Sequence, residues 1–326
     1  MTRALLTGGG GFVGQWLTRA LLQRGDDVFC AGLEPAERVP EGVLTHDERR
    51  SVHWLVADTR DQSQVEEMVD AAAPDVVFHL AGVAFPPQAE RDPAATYDIN
   101  SLGAVRLLSA LAARRLAGTA DPVAIVVGSA AQYGVPSNES PITEDELQKP
   151  LTVYGASKAA QEIAALQIFR ATGMRVVCTR SFNHAGPGQA GSYLLPSLVR
   201  RVLELKAAAS GAPRTLALGN DVTRDFLHVA DVAAAYIALA ERGIPGDVYN
   251  VSSGKGVRVS ELASDILRRV GVSAELSSDP ALARATDIPV LVGSPAKLMH
   301  DTGWAPARTR TDIIDDLLRF ANAPTD

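Results

Sequence analysis

The sequence predicts an α/β fold in which a doubly wound parallel sheet is followed by a smaller C-terminal lobe. Three observations support this prediction. Apolar, β-rich runs alternate with helical patterns through the first half of the chain, the runs are continuously apolar, and a glycine-rich turn follows the first of them. Continuously apolar runs indicate strands that are buried on both faces, as in a parallel sheet covered by helices.

The first strand and helix flank the stretch LLTGGGGFVG, residues 5–14, in which half of the residues are glycine. Two registers fit this stretch. Gly9, Gly11 and Gly14 match G-x-G-x-x-G, whereas Gly8, Gly11 and Gly14 match G-x-x-G-x-x-G. Either register predicts a phosphate close to bare backbone at a helix N-terminus, as in a dinucleotide site. A purely structural turn is the alternative, because such a motif alone is weak.

Further strands follow at regular intervals, and each is succeeded by an amphipathic or alanine-rich helical segment. The six strand runs, in order, are ALLT, VFCAG, VHWLVA, VVFHLA, VAIVVGS and RVVCTR. Ligands of such folds bind at the carboxyl ends of the strands, so we expect functional side chains directly after these runs.

The pattern changes after Arg180. The stretch SFNHAGPGQAGSYLLPS is rich in glycine and proline, and we expect no regular alternation of strand and helix for about forty residues after it. A helix over 229–241 and a strand over 247–252 could rejoin the sheet, and further helices are expected around 262–270 and 311–321. The predicted division is a dinucleotide-binding domain of residues 1–183, to which 224–252 returns, and a lobe of residues 184–223 and 253–326.

The composition is that of an ordinary globular protein. The chain has 326 residues, of which 46% are hydrophobic and 21% charged, and a formal net charge of −7. The negative charge provides no basic field for nucleic acid. The apolar runs are far shorter than a membrane span, and the N-terminus lacks the long apolar core of a signal peptide. We therefore expect a cytoplasmic protein with neither nucleic-acid nor membrane partners.

The cysteines and histidines predict neither a disulfide nor a metal site. Cys30 and Cys178 lie in apolar runs that belong to separate strands, which favours small buried side chains over a disulfide. The histidines lack the spacing that is typical of metal ligands. They are His46, His53, His79, His184, His228 and His300.

Tyr154 and Lys158 stand four residues apart on a predicted helix, in LTVYGASKAAQEIAA. This spacing places both side chains on one face, where an ammonium beside a phenol would lower the pKa of the phenol toward working pH. Tyr154 could then act as a general acid or base on a hydroxyl or a ketone. Taken alone, such a pair is more often a solvated surface pair. Ser129 ends the strand VAIVVGS, where its hydroxyl could share the reacting oxygen with Tyr154 or simply cap a turn.

Together, these motifs resemble those of the extended short-chain dehydrogenases that act on nucleotide sugars, which share the dinucleotide-binding Rossmann fold. The resemblance covers almost the whole chain and rests on TGGGGFVG, the HLAG of 79–82, Asn100 in INSLG, Ser129, Y-x-x-x-K and RDFLHVADV. Four stretches are most similar to the GDP-4-keto-6-deoxy-mannose reductases, relatives of the GDP-mannose 4,6-dehydratases: AGVAFPPQAERDPAATYDIN, SFNHAGPGQ, GNDVTRDFLHVADV and YNVSSGKG. A fifth, RATDIPVLVGSPAKL followed by TGWAP, is similar to their nucleotide-holding segment.

The resemblance implies a site but no metal. The implied catalytic residues are Ser129, Tyr154 and Lys158. The implied cofactor contacts are Gly8, Gly11, Phe12, Val13, Gly14, Glu34, Asp58, Thr59, Leu80, Ala81, Gly82, Asn100, Tyr154, Lys158 and Ser181. The implied substrate contacts are Phe85, Ser129, Tyr154, Asn183, Arg224, Arg284 and Asp287.

Among the substrate contacts, Asn183 would touch the sugar or its phosphates and Arg224 the diphosphate. Arg284 and Asp287 would hold the nucleoside. An internal ion pair of Arg224 with Asp225 is the alternative role for that arginine.

The implied reaction is hydride transfer from a reduced nicotinamide to C4 of a 4-keto sugar, with GDP-rhamnose or a close 6-deoxyhexose as product. Tyr154 would protonate the alkoxide, Lys158 would hold the nicotinamide ribose, and Ser129 would bond the oxygen. A nucleotide-sugar 4-epimerase with tightly held NAD is the alternative. The intact Tyr154 and Lys158 argue against a third hypothesis, a non-catalytic relative that binds dinucleotide. A homodimer is expected by family analogy only, through paired helices.

Cofactor choice depends on the end of the second strand. Glu34 stands there, where related dehydratases that prefer the phosphorylated cofactor carry arginines. A carboxylate accepts hydrogen bonds from ribose hydroxyls but repels a 2′-phosphate, so we expect NAD(H) to be preferred over NADP(H), which stays possible. Arg38, Arg49 or Arg50 could fold back and reverse this preference. Asp58, after the third strand, should face the adenine.

One position departs from the related dehydratases. They carry a glutamate two residues after the triad Ser or Thr, and Ala131 occupies that position here. A methyl group transfers no proton, so we expect reduction or epimerisation without dehydration. Glu139 or Glu144 could in principle approach from the neighbouring loop, but a flexible loop holds a proton-transfer geometry poorly.

Overall fold

The computed structural model describes residues 2–138, 140–208, 214–283 and 286–323. The strands of this part are β1 (Arg3–Thr7), β2 (Asp27–Gly32), β3 (His53–Val56), β4 (Val76–His79), β5 (Val123–Ser129), β6 (Arg175–Ser181), β7 (Asn183–Ala185), β8 (Thr215–Leu218), β9 (Thr223–His228), β10 (Val248–Val251), β11 (Gly256–Arg258), β12 (Glu275–Ser278) and β13 (Val290–Leu291).

The helices of the described residues alternate with these strands. They are α1 (Phe12–Gln23), α2 (His46–Arg50), α3 (Gln62–Ala72), α4 (Pro86–Arg91), α5 (Pro93–Tyr97), α6 (Gly103–Leu116), α7 (Val153–Thr172), α8 (Leu194–Ala207), α9 (Val229–Arg242), α10 (Val259–Val270), α11 (Ala296–Thr302) and α12 (Arg310–Ala321). A π-helical turn, Asp98–Leu102, joins α5 to α6.

The main sheet has the strand order β10-β6-β5-β4-β1-β2-β3, and each neighbouring pair is parallel. The chain runs outward from β1 through β2 and β3, and then crosses to β4 and continues through β5 and β6. The strand order therefore reverses between β1 and β4, and a crevice for ligands is expected at their carboxyl ends. The predicted α/β fold with a doubly wound parallel sheet is confirmed.

The two faces of this sheet form separate hydrophobic clusters. Leu6, Phe78, Ile125 and Val177 stand in register across four strands, and on this face they pack under α1 and α9. Their chain neighbours point to the opposite face, which α3, α6 and α7 cover. This double burial explains why the strand runs are continuously apolar.

The C-terminal half contains two smaller sheets. One has the order β11-β9-β13 with β7 paired to β9, and the other joins β12 to β8. Helices α8, α10 and α12 pack together over them through buried side chains such as Leu198, Leu262 and Ile313. This third cluster lies apart from the two faces of the main sheet.

The expectation that no regular alternation of strand and helix follows the glycine- and proline-rich stretch for about forty residues is wrong, because α8, β8 and β9 lie there. Helix α8 has fourteen residues and buries Leu195, Leu198, Val199 and Val202, which recur at helical spacing. Its proline lies in the first turn, where a missing N–H costs no hydrogen bond. The glycine- and proline-rich stretch directly before α8 hid this pattern.

The other C-terminal expectations match the structure more closely. The helix predicted over 229–241 is α9, and those expected around 262–270 and 311–321 lie within α10 and α12. The strand predicted over 247–252 contains β10, which pairs with β6 in the main sheet. β9 belongs instead to a smaller sheet. The division into two domains stays a prediction.

Three further observations concern the described residues alone. None of their helices is both long and apolar enough to cross a membrane. No group of three or more His, Cys, Asp or Glu side chains among them is placed to hold a metal ion. Cys30 and Cys178 are both buried and form no disulfide.

Candidate functional site

Residues 8–11, the turn after β1, are all glycine, and backbone groups make the close contacts of this turn. Gly8 has a φ of +74°, in the left-handed region that glycine adopts readily. Gly11 donates its N–H to the carbonyl of Gly8 at 3.0 Å and begins α1 without a side-chain cap. A side chain at Gly14 would collide with the carbonyl of Gly8. The register is therefore Gly8, Gly11 and Gly14, and the first N–H groups of α1 are free to bind a phosphate.

The end of β4 forms the other wall of this turn. A Cβ at Gly8 would lie 2.9 Å from the backbone nitrogen of Ala81. The N–H of Ala81 donates to the Thr7 hydroxyl at 3.3 Å, and that of Leu80 to the Thr7 carbonyl at 3.1 Å. The HLAG segment thus lies directly against the glycine turn, at the point where the strand order reverses.

The start of α1 also contacts the segment that follows β6. Phe12 stacks on His184 with ring centroids 6.2 Å apart and an interplanar angle of 14°. Trp16 donates its indole N–H to the carbonyl of Pro187 at 2.9 Å. Val13 is half-buried against the core. These contacts join the start of α1 to the segment of His184 and Pro187.

The side chains expected around the adenosine end are engaged in local ion pairs. Glu34 pairs with Arg38 at 3.2 Å, and both side chains are largely exposed. Arg49 donates to backbone carbonyls of residues 36–40 and so braces that loop. Asp58 pairs with Arg60 at 2.6 Å, and this hydrogen bond lowers the pKa of the carboxyl.

Thr59, after β3, and Gly82, after β4, lie beneath the crevice that is expected at the carboxyl ends of β1 and β4. Thr59 is buried under α6, where a Cβ at Gly103 would lie 2.8 Å from its hydroxyl. A Cβ at Gly82 would approach the Oδ1 of Asn100 to 2.7 Å and the Nζ of Lys158 to 3.4 Å. Only glycine therefore leaves Asn100 and Lys158 room at this point.

Asn100 is fully buried in the π-helical turn. Its Oδ1 accepts from the N–H of Val83 at 2.7 Å, and its Nδ2 donates to the hydroxyl of Ser157 at 2.9 Å. It connects the loop after β4 with α7, the helix that carries Tyr154 and Lys158. Its side chain holds these elements together.

Ser129 and Tyr154 meet at the carboxyl end of β5. The neighbouring Ser129 hydroxyl lowers the pKa of the Tyr154 phenol. The Ser129 hydroxyl also accepts from the N–H of Ala131 at 3.2 Å and so caps the short turn that follows. The capping interpretation of Ser129 is confirmed, and its sharing of the reacting oxygen with Tyr154 stays a prediction. Tyr154 is half-buried in the first turn of α7, which Thr152 caps.

The sequence predicts a lowered pKa for Tyr154, and in the structure of the free protein this expectation is wrong. Burial raises the pKa of Tyr154, and the neighbouring Ser129 hydroxyl only partly offsets this. Lys158 is 4% exposed and donates its Nζ to the carbonyl of Val127 at 2.8 Å. Burial lowers the pKa of Lys158 to about 8. Low dielectric disfavours both charged forms, so the phenol stays protonated.

Ser181 lies beside Ser129 in the register of the sheet. Its hydroxyl is 2.8 Å from that of Tyr236, a buried residue of α9. Ser181 is thus at the expected edge, and its hydroxyl is bonded within the protein.

Tyr193 is a site residue that the sequence analysis missed. It precedes α8, is half-buried, and its electrostatic interaction with Tyr154 raises the pKa of Tyr154. Its ring packs edge-on against Phe85, an expected substrate contact, with centroids 5.8 Å apart. The one available signal was an aromatic residue immediately before the apolar periodicity of α8. Phe85 and Tyr193 thus form an aromatic pair, of which Tyr193 lies near Tyr154.

The expected nucleotide-binding side chains lie at the start of β7 and in β9. Asn183 is half-buried opposite Phe226 of β9. Arg224 donates to the carbonyl of Ile288 at 2.6 Å and lies 3.6 Å from the carboxylate of Asp287. The structure thus brings Arg224 and Asp287 together. Arg284 lies outside the described residues.

The alternative pairing of Arg224 with Asp225 is wrong. Successive residues of a strand point to opposite faces, so the two side chains diverge. The Asp225 carboxylate accepts instead from the N–H groups of Ser253 and Gly254, each at 2.9 Å. Asp225 therefore holds the loop after β10.

Of the two loop carboxylates considered near Ala131, the structure describes Glu144, which is held by a backbone hydrogen bond. Glu144 accepts from the backbone N–H of Asn250 at 2.7 Å and is held at the end of the sheet. Glu139 lies outside the described residues.

Comparisons with known proteins agree with this geometry. Residues 5–317 match the family model described as GDP-mannose 4,6 dehydratase. The GDP-6-deoxy-D-mannose reductase of Pseudomonas aeruginosa is 40% identical over 238 residues, which cover 72% of this chain and 76% of that protein. The UDP-glucose 4-epimerase of Corynebacterium glutamicum is 28% identical over 344 residues, which cover 98% and 96%.

Solved structures give a similar result. RMD from Pseudomonas aeruginosa, complexed with NADPH, has a TM-score of 0.80 and 32% identity, with 98% of each chain covered. The UDP-glucose 4-epimerase of Thermus thermophilus, complexed with NAD, has a TM-score of 0.83 and 27% identity, with 99% of this chain and 100% of that chain covered.

Proposed function

Because the chain belongs to the GDP-mannose 4,6 dehydratase family, we propose that it is a nucleotide-sugar oxidoreductase that reduces the C4 ketone of a GDP-4-keto-6-deoxyhexose with NAD(P)H. The observation that carries the proposal is the placement of Tyr154 beside Ser129 and one helical turn from Lys158, at the carboxyl ends of the strands. The reductase relative at 40% identity supports a GDP-linked substrate.

The residues present fit a dinucleotide. Side chains at Gly8 and Gly14 would fill the space against the turn, which keeps the backbone N–H groups at the start of α1 accessible to a pyrophosphate. Lys158 and Asn100 lie where the nicotinamide end is expected. A bound reduced nicotinamide supplies the hydride for C4.

The side chains of this protein provide the proton and the orientation. Tyr154 donates its phenolic proton to the developing alkoxide, and Ser129 donates a hydrogen bond to the same oxygen. The positive charge of Lys158 stabilises the phenolate that remains. Phe85 and Tyr193 exclude water from one side of the ketone.

The absence of a proton carrier separates this reaction from dehydration. Elimination of the C6 hydroxyl needs a base near C5 and an acid at the leaving group. Ala131 provides neither, and Glu144 is bonded to the backbone of Asn250.

A nucleotide-sugar 4-epimerase that retains NAD is the second candidate, and epimerase relatives match 98% of the chain. Epimerisation requires Tyr154 to act as a base as well as an acid. A raised pKa suits the acid. This difference favours reduction.

The experiment uses the purified protein with a GDP-4-keto-6-deoxyhexose and deuterated NADH or NADPH. We expect steady consumption of the reduced cofactor and deuterium at C4 of the product. Tyr154→Phe should lower turnover roughly a hundredfold or more and still bind cofactor. Interconversion of GDP-hexoses or UDP-hexoses with retained NAD and no net consumption of cofactor would favour the epimerase.

The assembly and location are further parts of the proposal. Leu102, next to α6, is 49% exposed, and Ile163, on α7, is 64% exposed. These exposed apolar side chains support a homodimer formed by the two helices. A monomeric mass in light scattering would contradict it. The cytoplasmic location stays a prediction.

A further inference from the structure

We propose that Gln132 is a positioning residue for Ser129, and that its side-chain amide is oriented for this role by a buried ion pair of Glu162 and Arg180. This proposal rests on the proposed function for its kinetic consequence. It concerns a residue next to Ala131, with no contact to the expected substrate.

The side chain of Gln132 is fully buried and bonded at both ends. Its Oε1 accepts from the backbone N–H of Ser129 at 2.8 Å. Its Nε2 donates to the carboxylate of Glu162 at 2.8 Å. A side chain at Gly128 would collide with the same Oε1, so glycine before Ser129 leaves the amide its place.

The ion pair determines which way the amide faces. Glu162 and Arg180 are 5% and 7% exposed, and Arg180 donates twice to the carboxylate, at 2.7 and 2.9 Å. A carboxylate held by a bidentate arginine is ionised and only accepts hydrogen bonds. The NH2 group of Gln132 must therefore face Glu162, and its carbonyl oxygen must face Ser129.

Two further contacts hold the guanidinium group of Arg180 in place. It donates to the carbonyl of Glu144 at 3.0 Å and lies over the ring of Tyr133, 4.8 Å from the centroid. Gln148 also donates to Glu162. The support under Ser129 is thus a buried network that extends to the loop after β5, and a fully satisfied network of this kind is rigid.

This arrangement matters because Ser129 ends β5 and the chain turns sharply there. The Ser129 hydroxyl must point to Tyr154 while its own N–H is buried at the turn. Without Gln132 that N–H loses its acceptor, and the peptide can rotate and move the hydroxyl. A displacement of about 1 Å can lower turnover roughly a hundredfold.

A role limited to capping the turn is the competing explanation. It predicts lower stability when Gln132 is changed, with no specific effect on the contribution of Ser129. The two explanations differ in how the effects of Gln132 and Ser129 combine.

The first experiment needs no substrate. Amide hydrogen exchange at Ser129, followed by NMR, should be at least about tenfold faster in Gln132→Met than in the wild type. Gln62→Met is the matched control, since the amide of Gln62 also donates to a carboxylate, that of Glu66 on the exposed side of α3, and belongs to no network that supports Ser129; it should leave this rate unchanged. Unchanged exchange in Gln132→Met would overturn the proposal even if the wild type reduces no sugar.

The second experiment is a kinetic cycle. Gln132→Met should lower kcat roughly ten- to a hundredfold with KM changed by less than about threefold. The double variant with Ser129→Ala should have a kcat within about twofold of Ser129→Ala alone, and the control Gln62→Met should stay near the wild type. If the loss of kcat in the double variant equals the product of the losses in the two single variants, the inference is refuted. Gln132→Asn, which keeps an amide too short to reach both partners, should behave like Gln132→Met.

Discussion

Replacing Lys158 by methionine should stabilise the free protein at neutral pH, by an amount that disappears as the pH rises. The lysine is buried, and its pKa falls from 10.5 to about 8. Between these values the unfolded chain binds more protons than the native protein, so the free energy of unfolding of the wild type rises with pH. Methionine has a similar shape and no charge to desolvate.

The magnitude follows from the two pKa values. The burial of Lys158 lowers the free energy of unfolding by about 3 kcal/mol near pH 7, where the side chain is charged in both states. Near pH 10, where the native side chain is neutral, this cost is about 1 kcal/mol. The variant also loses the hydrogen bond to the Val127 carbonyl, a roughly pH-independent cost of about 1 kcal/mol. The difference in stability between variant and wild type should therefore fall by about 2 kcal/mol across this range.

Urea unfolding of both proteins at several pH values, without cofactor, measures this difference. Taking the difference cancels the titration of other groups. Lys206→Met is the control, because Lys206 is exposed on α8 and its variant should show no such trend. A difference between Lys158→Met and the wild type that stays constant from pH 7 to pH 10 would refute the reasoning.

Three further predictions concern recognition and chemistry. Glu34→Ala should strengthen the binding of NADPH relative to that of NADH in fluorescence titrations. The substitution removes a charge that repels the 2′-phosphate and releases Arg38 from its ion pair at 3.2 Å. An unchanged ratio of the two dissociation constants would contradict this prediction. Arg224→Ala should raise KM for the GDP-sugar by roughly tenfold or more with cofactor affinity retained; unaltered substrate kinetics would remove it from the site. With NAD and GDP-mannose, dTDP-glucose or CDP-glucose, we expect no 4-keto-6-deoxy product, since Ala131 carries no proton; formation at enzymatic rates would show that another group replaces it.

The parts of the fold that sequence could predict are those that depend on local periodicity. Strand runs such as VAIVVGS are apolar throughout because both faces of the sheet are covered, and this pattern is visible without coordinates. The glycine register was ambiguous because the choice of Gly8 over Gly9 depends on the positive φ of Gly8 and on the Ala81 backbone against it, both of which are set by the folded turn. Helix α8 was missed because Pro196 and the preceding glycines dominate the local pattern.

Within the site, properties that depend on burial or on long-range pairing could not be predicted. The spacing of Tyr154 and Lys158 was informative, but the direction of their pKa shifts depends on the low dielectric that the surrounding elements create. The pairing of Arg224 with Asp287 joins positions far apart in sequence. Ser129 and Gln132 have the spacing of a capping box, but the orientation of the Gln132 amide depends on Glu162, thirty residues further along the chain.

The charge of Lys158 should also limit activity at high pH. In the proposed reduction Tyr154 gives up its proton, and the phenolate that remains is buried beside Lys158, where low dielectric strengthens attraction to an ammonium. The burial that makes the charged lysine costly in the free protein therefore makes it effective once the phenolate forms. Because kcat/KM reports groups of the free enzyme, it should fall on the alkaline side with an apparent pKa near 8. In Lys158→Arg the guanidinium stays charged, so the residual activity should lack this alkaline decline. The same decline in both proteins would assign it to a different group.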